Sequence, residues 1–202
     1  MNGPESRADY DSVTPWARRL YAEGKSTAEV MQAIYGVDLP AEAYALDRAY
    51  TGGLDLPLVR LVHPWELMGD AERDSDEDWS QEQEDRAFAQ WPGFLPLLQL
   101  GADDAVHGHH VIGYDVEQLR AGKTTIWGCD GDIPPEGGEL AVVGSSLLAV
   151  LHDWLADHHR MLEHQFNSPA NRGFGSLSQD DVSEVADQLR AIEALQREVA
   201  AT

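Results

Sequence analysis

The stretch LAVVGSSLLAVLHDWL, residues 140–155, contains the change from strand to helix that decides the fold. Its first four residues form a short apolar run typical of a strand, and Ser145 or Ser146 is suited to cap the helix that follows. Apolar residues then recur at three- and four-residue steps, which predicts a buried helix face. That face consists of Leu147, Leu148, Leu151, Trp154, Leu155 and Leu162.

Three more β-prone runs precede this stretch, and turn sequences separate them. The runs are Leu95–Leu100, His110–Tyr114 and Thr124–Trp127. The shorter links between them leave little room for helical crossovers, so we expect an antiparallel meander. Residues 56–65 are predicted to be extended or irregular.

Helices are predicted on both sides of the strands. Pro15 opens a short helix, the capping-box pattern Ser26-x-x-Glu29 starts a second that Gly36 ends, and a third begins after Leu39-Pro40. Near the other end of the sequence, Ser178-x-x-Asp181 caps a final helix with an apolar stripe. The sequence therefore predicts an α+β fold: an antiparallel sheet of four to six strands, N-terminal helices and two C-terminal helices.

The same patterns predict the domain organisation. We expect a flexible N-terminus at residues 1–14, one α+β domain at residues 15–166, and an amphipathic helix at residues 176–202. The stripe on that last helix packs either on the domain or on a partner helix. The choice between a monomer and a dimer is therefore open.

Charge is the property of the sequence that bears most directly on function. The 202 residues include 36 Asp and Glu against 14 Lys and Arg, which gives a net charge of −22. Such a surface repels nucleic acid and anionic membranes and attracts a basic protein. The alternatives are that the acidity serves solubility or that it is an adaptation to a salty host interior.

Composition and hydropathy indicate the class of protein. An apolar content of 43% and six Trp are enough for a core. No apolar run approaches the roughly 20 residues of a membrane-spanning helix, and the first residues do not have the pattern of a signal peptide. Cys129 is the single cysteine, so the sequence forms no internal disulfide. We expect a cytoplasmic protein without a cofactor.

The most acidic stretch, residues 70–86, contains nine carboxylates and two arginines. We interpret it as a solvated insertion whose carboxylates could occupy a cationic cleft on a partner, with exposed Trp as interface anchors. Plain solvation, and packing of the Trp against the sheet, are the alternatives. The pattern does not favour an EF-hand calcium loop, because Trp79 stands where that loop needs Gly; nonspecific calcium binding by the carboxylates stays open. The candidate partner-binding residues are Asp74, Asp76, Glu77, Asp78, Trp79, Glu82, Glu84, Asp85 and Trp91.

Two histidine groups are weak candidates for a metal site. His107 and His109 share one face of an extended chain, and His159 lies one helical turn before Glu163. Ordinary surface histidines are the alternative interpretation. A serine nucleophile is not supported, because Leu147 replaces the second Gly of a nucleophile elbow.

Four segments resemble parts of the SUKH superfamily, which comprises immunity and cell-wall-regulator-like proteins. Tyr35–Tyr44, with sequence YGVDLPAEAY, is similar to that family's G-x-x-L-P helix start. Residues 97–103 and 112–115 resemble two of its strands, and residues 145–155 resemble its late helix. The resemblance spans residues 27–158. The long acidic insertion departs from the family pattern, and the helix after Ser178 lies beyond the match.

The resemblance implies an α+β fold and a role in protein binding, since many members neutralise polymorphic toxins, often nucleases. It implies no catalytic residue. Together with the charge it predicts a non-enzymatic immunity or antitoxin protein that masks a basic, nuclease-like toxin and binds neither nucleic acid nor membrane. The alternatives are a regulatory or scaffolding protein of the same fold, and a metal-dependent hydrolase that uses the histidine-rich segments.

Overall fold

The computed structural model describes residues 16–17, 19–56, 59–61, 93–101, 110–129, 140–168 and 177–201. The predicted α+β fold is confirmed. Residues 16–17 and 19–22 are helical and come first. The elements that follow are α1 (Thr27–Tyr35), α2 (Ala41–Thr51), β1 (Val59–Leu61), β2 (Phe94–Leu100), β3 (His110–Asp115), α3 (Val116–Arg120), β4 (Ile126–Cys129), β5 (Ala141–Gly144), α4 (Leu147–Asn167) and α5 (Gln179–Ala200).

The five strands form one sheet in the order β1-β2-β3-β4-β5, so neighbours in the sequence are neighbours in the sheet. The pairs β1–β2, β2–β3 and β3–β4 are antiparallel. The predicted meander is therefore confirmed. Strand β1 lies inside the segment that the sequence predicted to be extended or irregular.

Strand β2 forms much of the buried interior of the sheet. Its sequence, FLPLLQL, is a nearly continuous apolar run, which is typical of a fully buried strand. A bulge between Pro96 and Leu98 places the extra residue Leu97 in the strand, and Leu97 is fully buried. Phe94 and Val111 form an apolar cluster against which Trp127 and Leu140 pack.

The chain divides into two compact units, Met1–Pro40 with Pro57–Val143 and Ala41–Leu56 with Gly144–Thr202. The first unit contains α1, α3, strands β1 to β4 and most of β5. Its buried side chains come largely from β2, β3 and α1. The second unit contains α2, α4 and α5, and their facing apolar stripes supply its interior.

A turn in the first unit explains why several residues of the Tyr35–Tyr44 segment have the identities they have. Gly36 ends α1 with φ +63°, a left-handed conformation that favours glycine, and its N–H donates to the Gln32 carbonyl. Val37 and Leu39 are buried beyond it. Arg120 of α3 donates from Nη2 to the Tyr35 carbonyl at 2.7 Å. Packing and turn geometry therefore account for these residues.

The buried face of α4 follows the predicted stripe at all positions but one. Leu147, Leu148, Leu151, Leu155 and Leu162 are buried, whereas Trp154 is only half-buried, so the prediction that it belongs to the core was wrong. His158 is the buried residue that the prediction missed. It lies seven residues after Leu151 and therefore on the same face, and its ring stacks on Trp154 with centroids 5.7 Å apart.

The start of α4 is held by its own cap and by α2. The Ser146 hydroxyl accepts from the Ala149 N–H at 3.1 Å and donates to the Glu42 carboxylate at 2.9 Å. The same Glu42 oxygen accepts from the Leu148 N–H at 2.8 Å. Glu42 thus satisfies one of the orphan N–H groups at the start of α4 and fixes the ends of two helices together.

We expect Glu42→Ala to lower the free energy of unfolding by about 2 kcal/mol, because it leaves a helix N–H and a hydroxyl without their charged acceptor. The matched control is Glu42→Gln, which keeps an accepting oxygen and should cost clearly less. Urea denaturation of both variants measures the difference. Equal losses for Ala and Gln would contradict this role.

Two predicted capping boxes are present, at Ser26 with Glu29 and at Ser178 with Asp181. The pKa of Glu29 is lowered to about 2. The largest cause is the Lys25 ammonium, whose Nζ lies 2.9 Å from Glu29 Oε1, and hydrogen bonds from the Ser26 N–H and hydroxyl lower it further. The Ser178 N–H and hydroxyl lower the pKa of Asp181 in the same way. In both cases the capping geometry favours the charged carboxylate.

Glu29 should therefore stabilise α1 fully above its ordinary pKa of 4.5, and this contribution should be lost as the pH falls from there to about 2. Carboxyl NMR titration measures the Glu29 pKa directly. In Lys25→Ala we expect the pKa to rise toward 4.5, because the first of its partners is removed. A native pKa near 4.5 would show that the ion pair and cap do not act on Glu29.

Candidate functional site

Most of the predicted site residues fall outside the part of the chain that the structure describes. These are the candidate partner-binding residues Asp74, Asp76, Glu77, Asp78, Trp79, Glu82, Glu84, Asp85 and Trp91, together with His107 and His109. Their roles stay predictions. The candidate residues that the structure does place are His159 and Glu163, both on α4.

His159 and Glu163 face each other across one helical turn, with Nδ1 and Oε2 3.9 Å apart. His152, on the same helix, lies 3.3 Å from Asp153 and 3.8 Å from Glu193 of α5. Within the described ranges, no three His, Cys, Asp or Glu side chains are grouped so that they could hold a metal ion. Zinc sites use three or four protein ligands, so His159 and Glu163 need further ligands to form one.

Elemental analysis tests the metal-dependent alternative. We expect the purified full chain, dialysed without chelator, to contain far less than one equivalent of zinc, nickel or iron. The control is the His159→Ala variant, which should have the same metal content as the native protein. Stoichiometric metal that falls in this variant would instead favour the hydrolase.

A small pocket lies beside the Glu42–Ser146 contact in the second unit. It has a volume of about 180 Å³ and is lined by Glu42, Ser146, Leu148, Gln196, Val199 and Ala200. A serine hydroxyl that is hydrogen-bonded to a carboxylate, as Ser146 is to Glu42, is an arrangement that a nucleophile and its base could also adopt. Both are already engaged by N–H groups of α4, so helix capping accounts for their geometry.

Gly144, just before this cap, has a steric reason to be glycine. A Cβ at this position would lie 2.5 Å from Cγ2 of Val150, closer than real Cβ contacts occur. The tight approach of the first turns of α4 therefore explains the strand–glycine–serine sequence. A nucleophile elbow is not needed to explain it.

Most of the described carboxylates are exposed, and the rest are partly buried. None of them is fully buried. Six cations are each paired with a nearby carboxylate: Lys25 with Glu29, Arg48 with Glu198, Arg120 with Glu117, Arg160 with Asp157, Arg190 with Asp187, and Arg197 with Glu193. On α5, six acids against two arginines leave a charge of −4. This helix therefore contributes acidic surface beyond the predicted insertion.

Strand β5 exposes an apolar edge of the sheet. It is the last strand in the sheet order, and Ala141, Val142 and Val143 are all exposed. Val142 and Val143, at 60% and 44% exposure, stand out among the large apolar side chains of the described residues. Sequence reasoning identified the strand but missed the edge, because the position of β5 depends on the order of the whole sheet.

None of the helices that the structure describes combines the length and the apolar character that crossing a bilayer requires. Comparison with known proteins assigns no family. No family model matches the chain, no curated protein matches it, and no solved structure matches it. The SUKH resemblance therefore rests on the four quoted segments and stays a prediction.

Proposed function

We propose that this chain is a non-enzymatic protein-binding module of the SUKH type. It acts in the cytoplasm as an immunity or antitoxin protein and masks the active cleft of a basic, nuclease-like partner. The observation that carries the proposal is the net charge of −22. Support comes from the described carboxylates, most of which are exposed and none of which is buried.

The electrostatics fit a nuclease as the target. A nuclease cleft holds cations that bind phosphates, and closely spaced carboxylates on a rival protein compete for the same cations. Six described cations are paired with carboxylates of the chain, yet the full sequence keeps a net charge of −22, so a large excess of negative charge remains for a basic partner. A charge of this size accelerates encounter with a basic protein and makes binding sensitive to salt.

Capture from a lysate of the native host tests the proposal. The tagged full chain is loaded at about 0.05 M salt and eluted at about 0.3 M, where screening is much stronger, and the eluate is read by mass spectrometry. We expect one basic protein with a nuclease-like sequence in stoichiometric amount. A basic partner without such a sequence would favour the scaffolding alternative. Failure to recover any salt-released basic protein would contradict the proposal.

Matched variants then separate the acidic insertion from overall charge. The first variant neutralises the insertion through Asp74→Asn, Asp76→Asn, Glu77→Gln and Asp78→Asn. The control removes four charges at exposed positions outside the insertion through Asp55→Asn, Asp153→Asn, Asp180→Asn and Glu184→Gln. We expect affinity for the recovered partner to fall about tenfold in the first variant and much less in the control. Equal losses would mean that the insertion is not the binding surface.

A further inference from the structure

We propose that β5 is a docking edge: an extended, Lys- or Arg-rich segment of the partner adds to the sheet as a strand beside Ala141–Val143. This inference rests on the proposed function and specifies the surface through which the partner binds. Strand addition supplies backbone hydrogen bonds, and side chains on alternate positions supply specificity.

The exposure of β5 is the first reason. No other strand among the described residues lies beyond it in the sheet order. Proteins usually protect such an edge with lysine, proline or a bulge, because its unpaired N–H and C=O groups can pair with another chain. The sequence of β5, AVVG, contains neither a charge nor a proline. Its exposed valines instead provide an apolar contact surface.

The strand is held in place before any partner arrives. Leu140, immediately before it, packs against the cluster of Phe94 and Val111. Glycine at position 128 of β4 leaves room for Val143: a Cβ there would lie 3.2 Å from Val143 Cγ1 and 3.1 Å from Ile112 Cγ2. A preformed strand reduces the ordering cost of binding.

Charge identifies the occupant. The ten residues 130–139, immediately before Leu140 in the sequence, include Asp130, Asp132, Glu136 and Glu139 and no Lys or Arg. A second copy of this chain would bring two charges of −22 together, which opposes pairing of β5 with itself. A segment that alternates basic and β-prone residues complements both the exposed valines and the net negative charge of the chain.

The test uses the isotope-labelled full chain and three synthetic octapeptides, alternating Lys-Val, Lys-Pro and Glu-Val. We expect the Lys-Val peptide to shift the amide resonances of Ala141–Gly144 and to slow their hydrogen exchange. The Lys-Pro peptide has the same charge but lacks half of the N–H donors, so it should bind at least about fivefold more weakly. The Glu-Val peptide should not bind.

Two variants test whether the peptide binds at β5. Val142→Lys adds a positive charge on the edge that repels the lysines of the peptide. Phe166→Lys adds the same charge on α4, at a residue that is 41% exposed. We expect the Lys-Val peptide to bind Val142→Lys about tenfold more weakly and Phe166→Lys within about twofold of the native protein. Both sites are exposed, so both variants should keep the native melting temperature, which circular dichroism verifies.

Several outcomes would overturn the inference. They are no binding of the Lys-Val peptide, shifts confined to residues outside β5, and equal weakening in the two variants. A native dimer in sedimentation that Val142→Lys converts to monomer would identify a second copy as the occupant and would also overturn it. If host capture still recovers a basic nuclease-like partner in any of these cases, the proposed function stands and only the β5 edge is wrong. If β5 binds the peptide but host capture recovers no basic protein, the proposed function fails.

Discussion

Ionised carboxylates must remain hydrated or meet donors, because moving an unpaired charge out of water costs several kcal/mol. With a net charge of −22, this requirement constrains where the described helices can place their acidic side chains. The described helices place their acids outward and their apolar stripes inward, and β2 carries no charge at all. Glu42 is partly buried, and it is held there by the Ser146 hydroxyl and the Leu148 N–H.

Much of the fold follows from local rules that the sequence displays. The capping boxes at Ser26 and Ser178, the helix end at Gly36 and the meander of short strands all depend on neighbouring residues, and all are present in the structure. The long apolar run of β2 likewise predicts its burial. These features could be predicted from the sequence because each is determined within a few residues.

Features that depend on residues far apart in the sequence could not be predicted from it. Glu42 binds Ser146 across 104 positions, and no local pattern marks that contact. Because only apolar residues were assigned to the α4 stripe, the prediction included Trp154 and missed His158, which is buried at a stripe position. The exposed edge at β5 required the full strand order. Of the candidate metal residues, the sequence predicted the closeness of His159 and Glu163 because one turn separates them.

Two surface properties carry the proposed mode of binding, acidity and an apolar sheet edge. In that proposal, charge brings a basic protein close, and the edge gives a short-range, directional contact that charge alone does not supply. Each property has a simpler explanation by itself, solubility for the acids and a short unprotected strand for the edge. Their occurrence in one chain favours recognition of a basic partner.

The most direct measurement is the dissociation constant of the recovered partner across a series of salt concentrations, from about 0.05 M to about 0.5 M. The account predicts that affinity falls steadily as salt rises and keeps a salt-resistant remainder from apolar and backbone contacts. An affinity that does not change with salt would contradict it, because the acidic surface would then have no part in binding.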